Sequence, residues 1–561
     1  MNSSRLLSVS ALTLTVGAVL LASTTAISQR RDDYGFMDPI IDVKHLLSER
    51  YVDTLDDESL QAGAINGMLE SLNDPYTVYV PVAKKTEFTK DLTGEYVGIG
   101  ASVNIDDTGY LVIVSPLEDS PAYKAGLMAE DKVVEIDGKS THKLDVDQCI
   151  KLLSGTPGTQ VKLTVERKGQ KLEIPVTRDR IKTRSVKGFH REKDDANKWM
   201  FLIDPARKIG YARLTQFTPQ CSDELQAALE GAGAREGKIA GMVLDLRGNP
   251  GGLLSEAIKI ADLFLKSGTI VSTKGRAIAE EVAKAQDPGT LPDFPLVVLL
   301  NGQSASASEV LAGALVENNR AIAIGTRSFG KGLVQSVQPL PSGRGELKIT
   351  EQKYYLPSGR CIQRTDTSAE WGVDPTDGFY VPMTDEELIE MFKARREQEV
   401  MRPAGQAGAE ADQWSNPDWI LGRLKDKQLA AAVKAVQVKV DSGEWKPTGE
   451  HAEKSLVEGG ELLRLRQARE RLTRELIRLE KREDALENAG AAKAANPTDF
   501  WPDTLDLSGG KLQVFDKDGK LVTTLRITGN NLERWLIDAD VKKDPEGAAP
   551  DPATPPAKPK T

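Results

Sequence analysis

Between Lys208 and Gln363, short apolar runs alternate with amphipathic stretches of helical period, and this alternation constrains the fold more than any other feature. Strands are predicted at Ile209–Phe217, Ile239–Leu246, Thr269–Thr273, Leu296–Leu300, Ala321–Gly325 and Gly345–Tyr355. Helices are predicted at Ser222–Gly231, Leu253–Leu265 and Ser306–Glu317. That order predicts a layered α/β domain.

The full chain has 561 residues, which at roughly 150 residues per domain predicts three to four units. Hydrophobic residues at 40% and charged residues at 28% let most of it bury a core, which excludes a wholly disordered protein. With 73 basic and 83 acidic residues, no overall basic excess favours nucleic acid or anionic lipid. Three cysteines (Cys149, Cys221, Cys361) are too few for a disulfide scaffold and lack the close spacing of a zinc site. Four histidines and no HExxH argue against histidine-rich metal catalysis.

Residues Leu6–Ile27 carry no charge, so the segment reads either as a membrane anchor or as the apolar part of a secretion signal. Both readings export the rest of the chain to a periplasmic or extracytoplasmic space, with membrane contact through the N-terminus. Residues 32–91 are predicted as short helices (Leu46, Leu47, Tyr51; Leu60, Ala64, Met68, Leu72) stopped by Asn73-Asp74-Pro75. Residues 92–180 shorten to strands at Val97–Val103, Tyr110–Val114, Lys132–Ile136 and Val161–Arg167. Beyond residue 383 the character changes. Arg402–Asp412 reads as a linker, and Leu465, Leu472, Leu479 and Leu486 fall at sevens on a long amphipathic helix. That helix suits either oligomerisation or packing onto the chain's own helices. Leu512–Phe515 and Leu521–Ile527 suggest a hairpin, and residues 544–561 a disordered proline-rich tail.

Three segments carry chemistry. In Asn301–Leu315 (NGQSASASEVLAGAL) a buried strand gives way to a helix at Ser306. Free N–H groups and the helix dipole there favour an anion, although serines before helices also serve as plain caps. In RAIAIGTRSFGKGLVQS, Lys331 lies between glycines with Gln335 four residues on. A dehydrated lysine favours its neutral amine and can take a proton from a serine. The same stretch meets seven places of the phosphate-binding GxxxxGK pattern, but Gly332 stands where Ser or Thr should hold magnesium, and an extended segment follows. In VLDLRGNPGGLL, Gly251 and Gly252 permit a turn closed to bulkier residues and expose N–H groups.

Together, and in this order, the three segments resemble the carboxy-terminal processing proteases, tail-specific Ser–Lys peptidases. The resemblance implies Ser306 as nucleophile, Lys331 as general base, Gln335 as the residue orienting it, and the Gly252 and Ala307 amides as the oxyanion hole. It implies a crotonase-like layered core and no metal or organic cofactor. It extends to Glu49–Thr77, to YYLPSGRCIQ (with Leu356 and Cys361 where Thr and Ser are usual), to GVDP at Gly372–Pro375 and, more weakly, to KDKQLAAAVKAV from Lys425. The firm part, Asp42 to Pro375, is about three-fifths of the chain.

Within it, GEYVGIGA, DSPAYKAGL and DKVVEIDGK resemble a PDZ domain, whose loop amides around Tyr96, Val97, Gly98, Ile99 and Gly100 would hold a chain-terminal carboxylate. The division is then a signal or anchor (1–31), N-terminal helices (32–91), PDZ domain (92–180), Ser–Lys protease core (181–383), C-terminal extension (384–543) and tail (544–561). The expected function is a serine endopeptidase acting on unstructured C-terminal tails of exported proteins, with a homo-oligomer or an activating partner open. The rival is a catalytically silent or partner-activated PDZ scaffold.

Overall fold

The computed structural model describes residues 35–401 except 366 and 369, residues 413–451, positions between 462 and 479, and the strands Lys511–Phe515 and Leu521–Arg526. The apolar run Leu6–Ile27, the linker 402–412, Leu486 and the tail 544–561 lie outside them. Two compact units are present, Met1–Val457 and Glu458–Thr561.

The first unit is built on a sheet whose central strands, Ile209–Leu214, Gly241–Asp245, Leu296–Leu300 and Ile322–Gly325, run parallel in that order. Their apolar runs follow from burial on both faces. Alternate side chains divide between two cores. Met242, Leu244, Leu296, Val298 and Leu300 face the helices Cys221–Gly231, Leu254–Phe264 and Ala307–Glu317. Val243, Val297, Leu299 and Ile324 face the other way, onto the helix Lys427–Ser442. Gly241 allows this approach: a Cβ there would lie 2.5 Å from Val436 Cγ1. The region after 383 is therefore not an extension throughout. The helices Asp385–Glu399, Pro417–Leu424 and Lys427–Ser442 complete the protease unit, and the second unit starts at Glu458.

A second, antiparallel sheet orders Val78–Val80, Glu346–Tyr355, Thr269–Gly275 and Glu281–Lys284, with Leu333–Pro339 also pairing with Glu346–Tyr355. Glu346–Tyr355, predicted among the alternating strands, belongs here. Its register places Val78 opposite Lys348, stitching the N-terminal segment into the core.

The PDZ region has its own sheet and core around Leu111, Ile113, Val133, Leu163 and Val176. The single strand expected at Val97–Val103 is two strands in different sheets. Glu95–Gly98 pairs with Asp179–Lys182, where the chain leaves the PDZ region, and Ala101–Ile105 forms the PDZ sheet's edge. Gly100 makes the break: its φ is +74°, and a Cβ would lie 2.5 Å from Ser120 Cβ. Cys149 is buried in this core, on the helix Val146–Leu153.

Upstream, the helices Asp38–Arg50 and Asp57–Glu70 bury no residue. In the second unit the expected hairpin forms, with Leu512 opposite Leu525. Leu465, Leu472 and Leu479 are helical and exposed. Among the described residues no helix is long and apolar enough to cross a membrane.

Candidate active site

The three motif segments leave the C-terminal ends of adjacent parallel strands, the end of an α/β sheet where ligands bind. Two asparagines lock the first two together. Asn249 fixes the NPGG turn by accepting from Gly251 N–H at 2.9 Å, while its carbonyl accepts from Ala305 N–H (3.0 Å) and Ser308 Oγ (3.0 Å). From the other side, Asn301 Oδ1 accepts from Gly248 N–H at 3.0 Å.

Ser306 precedes the helix Ala307–Glu317 with φ 56° and ψ −115°, a conformation strained for any residue with a Cβ. It is 6% exposed, and its side chain lies near the buried Tyr354 phenol. Gly251 makes room for it, since a Cβ there would stand 2.8 Å from Ser306 Cβ and 2.7 Å from the Ala305 carbonyl oxygen. Among the described residues, neither Gly252 N–H nor Ala307 N–H has a protein acceptor, because Leu253 N–H and Phe217 N–H make the bonds that close the NPGG turn. Two unspent donors beside a serine at a helix N-terminus suit a developing oxyanion.

Glu309, fully buried, joins this segment to the lysine loop. Oε2 accepts from Ser306 N–H (2.7 Å) and Lys331 N–H (2.8 Å); Oε1 accepts from Ser328 Oγ (2.6 Å) and Gly330 N–H (2.6 Å). Burial pushes its pKa up and these hydrogen bonds oppose it. Four converging donors suit an acceptor-only carboxylate. The Gly330 and Lys331 amides thus serve an internal carboxylate, and a strand, Leu333–Pro339, follows them instead of a helix. The phosphate-loop reading fails on both counts.

Lys331 is largely buried. Burial, helped by the nearby Lys348 ammonium, pushes its pKa down to about 8, against the opposing charges of Glu309 and Asp74. Its ammonium lies 4.5 Å from the centre of the Tyr76 ring. Gln335, expected to hold it, makes no hydrogen bond to it; Nε2 donates to Thr350 Oγ1 at 3.3 Å. The cause is a bulge: the register slips between Val334 and Gln335, setting Gln335 opposite Thr350. His142 stacks on Tyr110 in the PDZ region, and His190 lies against Phe189 and Trp414.

Comparison with known proteins decides the family. Residues 208–377 match the model of peptidase family S41, residues 112–167 a PDZ domain, and residues 21–85 the activating protease CtpB N-terminal domain. A carboxy-terminal-processing protease of Bartonella bacilliformis is 36% identical over 394 residues, which make up 68% of this chain and 87% of that one. The chain belongs to the carboxy-terminal-processing proteases. Carboxy-terminal processing protease CtpA of Bacillus subtilis is 34% identical over 337 residues, 60% of this chain and 68% of that one. The solved photosystem II D1 C-terminal processing protease is 27% identical, covering 66% of this chain and 91% of that one, with a TM-score of 0.37. The protein is accordingly a serine-type, S41-family protease with a PDZ domain, of multidomain α/β architecture, acting on protein substrates.

In the protease's PDZ domain, Ala101–Ile105 pairs on one side only among the described residues, with Leu111–Pro116, and the helix Val146–Leu153 packs near it. An unpaired edge next to a helix can take an added strand. Of the five loop residues, Tyr96, Val97 and Gly98 belong to the pair that closes the domain on the core, and Ile99 is 3% exposed in the PDZ core. Gly98 to Gly100 lead directly into the open edge.

Glu309, Tyr354, Lys348, Thr350, Asp74 and Tyr76 were not singled out from sequence. Glu309 had a local signal, the S-x-x-E spacing of a capping box. Asp74 and Tyr76 had none, because only the pairing of Val78–Val80 with Glu346–Tyr355 brings them to the site.

Proposed function

We propose that the protease is a Ser–Lys endopeptidase of exported proteins. Lys331, neutral, takes the Ser306 hydroxyl proton as Oγ bonds to the scissile carbonyl carbon. The resulting oxyanion accepts from Gly252 and Ala307 N–H. Collapse breaks the C–N bond, and the Lys331 ammonium returns the proton to the leaving amine. Water, deprotonated by Lys331, then attacks the acyl carbon; the C–Oγ bond breaks and the Lys331 ammonium returns its proton to Ser306. No step calls on a metal or organic cofactor. The carrying observation is the strained Ser306 beside two unspent amides, with a buried lysine of depressed pKa on the neighbouring loop.

The open edge at Ala101–Ile105 and the Gly98–Gly100 amides support docking of an unstructured C-terminal tail, which then threads to Ser306. To orient the base, the Gln335 amide must turn from Thr350 Oγ1 toward Lys331. The uncharged Leu6–Ile27 run supports a periplasmic or extracytoplasmic site of action, with the chain either anchored or cleaved there.

A second reading is an enzyme switched on by a partner or by the tail itself. It is favoured by the Lys331 ammonium lying over the Tyr76 ring, with no hydrogen bond from it to Ser306 among the described residues. Cleavage of an unfolded protein by wild type, Ser306→Ala and Lys331→Ala, each with and without chelator, tests both. Cutting by wild type in chelator, with both variants folded and dead, supports the Ser–Lys mechanism. Cutting by either variant at the wild-type rate overturns it. Activity that appears only once a C-terminal tail peptide is added selects the switched enzyme.

A further inference from the structure

The turn Asn73–Thr77 lies more than two hundred residues before Ser306, yet its side chains meet the catalytic groups. Its geometry is tightly determined. Asp74 accepts from Tyr76 N–H at 3.0 Å and from Thr77 Oγ1 at 2.6 Å. Thr77 Oγ1 in turn accepts from Thr350 N–H at 3.1 Å. Thr350 Oγ1 is the acceptor of the Gln335 amide, 3.3 Å away. A chain of contacts therefore runs from Asp74 through Thr77 and Thr350 to Gln335, while the Tyr76 ring covers the Lys331 ammonium at 4.5 Å.

We propose that the Asn73–Thr77 turn is a working part of the catalytic site, in which Asp74 is a positioning residue for Gln335 and Lys331, and Tyr76 shields the base from water. The inference rests on the Ser–Lys reading above. Since Val78–Val80 carries the turn into the core sheet, the base is complete only when the N-terminal segment is paired with Glu346–Tyr355.

The electrostatics carry opposite signs and so give a sharp test. The groups facing Lys331 are Asp74 and Tyr76 from the turn, Lys348 from the strand Glu346–Tyr355, and Glu309 from the helix Ala307–Glu317. Asp74 favours the ammonium and Lys348 the neutral amine. A base must be neutral, so kcat/KM rises with pH through the Lys331 pKa. Removing the Asp74 charge lowers that pKa and moves the rising limb to lower pH. Removing the Lys348 charge moves it to higher pH.

The experiment uses the full chain, with casein as substrate. Asp74→Asn, Lys348→Met, Thr350→Val and Thr350→Ser are compared with wild type and Lys331→Ala by pH profile. In parallel, competitive acetylation of Lys331, followed by peptide mass spectrometry over the same pH range, reads its titration without requiring turnover. Displacements on the order of one pH unit, in opposite directions for Asp74→Asn and Lys348→Met, are expected. Thr350→Val should lose activity on the order of ten- to a hundredfold, with Thr350→Ser restoring most of it. If both charge variants titrate Lys331 as wild type does, or if Thr350→Val cuts normally, the inference is overturned while the Ser–Lys reading stands. If Lys331→Ala cuts as well as wild type, the Ser–Lys reading itself has failed. Should Asp74→Asn not fold, Lys348→Met and the Thr350 pair still decide.

Discussion

Glu309 and Lys331 are bound to each other through the backbone: the Lys331 N–H donates to Glu309 Oε2 at 2.8 Å, while the Lys331 ammonium turns to the Tyr76 ring. The carboxylate that also holds Ser306 N–H thereby sets the spacing of the Ser306 and Lys331 backbones without pairing with the ammonium. A direct ion pair would hold the lysine protonated. The backbone link lets burial keep its pKa near 8.

Glu309→Gln puts this link to the test. Each oxygen serves two donors, so an amide nitrogen in either place faces two donors and leaves them unsatisfied. We expect a loss of ~2–4 kcal/mol in a denaturant melt, and cleavage reduced by more than that loss of folded protein explains.

Ser306 carries backbone strain that glycine would relieve. Ser306→Gly and Ser306→Ala should both be inactive, but the glycine variant should be about 1 kcal/mol the more stable, strain relief outweighing its extra chain entropy. Denaturant unfolding of the two variants side by side measures the difference.

The NPGG turn tolerates no side chain. In Gly252→Ala the new Cβ would lie 2.3 Å from the Phe217 carbonyl oxygen, at a φ of +143°. The turn must shift and with it the Gly252 N–H. Loss of one oxyanion donor predicts kcat lower by about 10²–10³ with KM little changed, measured on a peptide substrate.

On the proposed Ser–Lys mechanism, activity should rise through a limb near pH 8, because the base must be neutral and the Lys331 pKa is pushed down to about 8. Below that pH the ammonium cannot accept the Ser306 proton, so kcat/KM should fall about tenfold per pH unit. A pH profile with the fold followed by circular dichroism separates this from acid unfolding.

Truncation after Val457 should leave melting temperature and cleavage close to those of the full chain, since the two compact units divide there. Val433→Asp, by contrast, sets an unpaired carboxylate in the fully buried face of the helix Lys427–Ser442. A cost of ~3 kcal/mol or more is expected. Thermal melts of the two proteins make the comparison.

Local chemistry was legible in the residues themselves. The periods of apolar side chains marked the strand Leu296–Leu300 and the helix after Ser306, because burial on one or both faces leaves a repeat of fixed length. The glycines of NPGG and FGKG marked places where backbone must come close. What depended on distant pairing was not legible. The division of Val97–Val103 between two sheets, the bulge that turns Gln335 toward Thr350, and the cover that Lys427–Ser442 lays over Val243, Val297 and Leu299 all follow from which strands and helices meet.

The layered core, the PDZ module, and Ser306 and Lys331 at neighbouring strand ends were all readable locally, since each is written in a contiguous stretch. What surrounds Lys331 depends on which distant elements pack against it. Asp74, Tyr76, Glu309 and Lys348 come from three separate elements, and the pKa of a buried amine depends on the sum of the charges and the water around it, which no one segment contains.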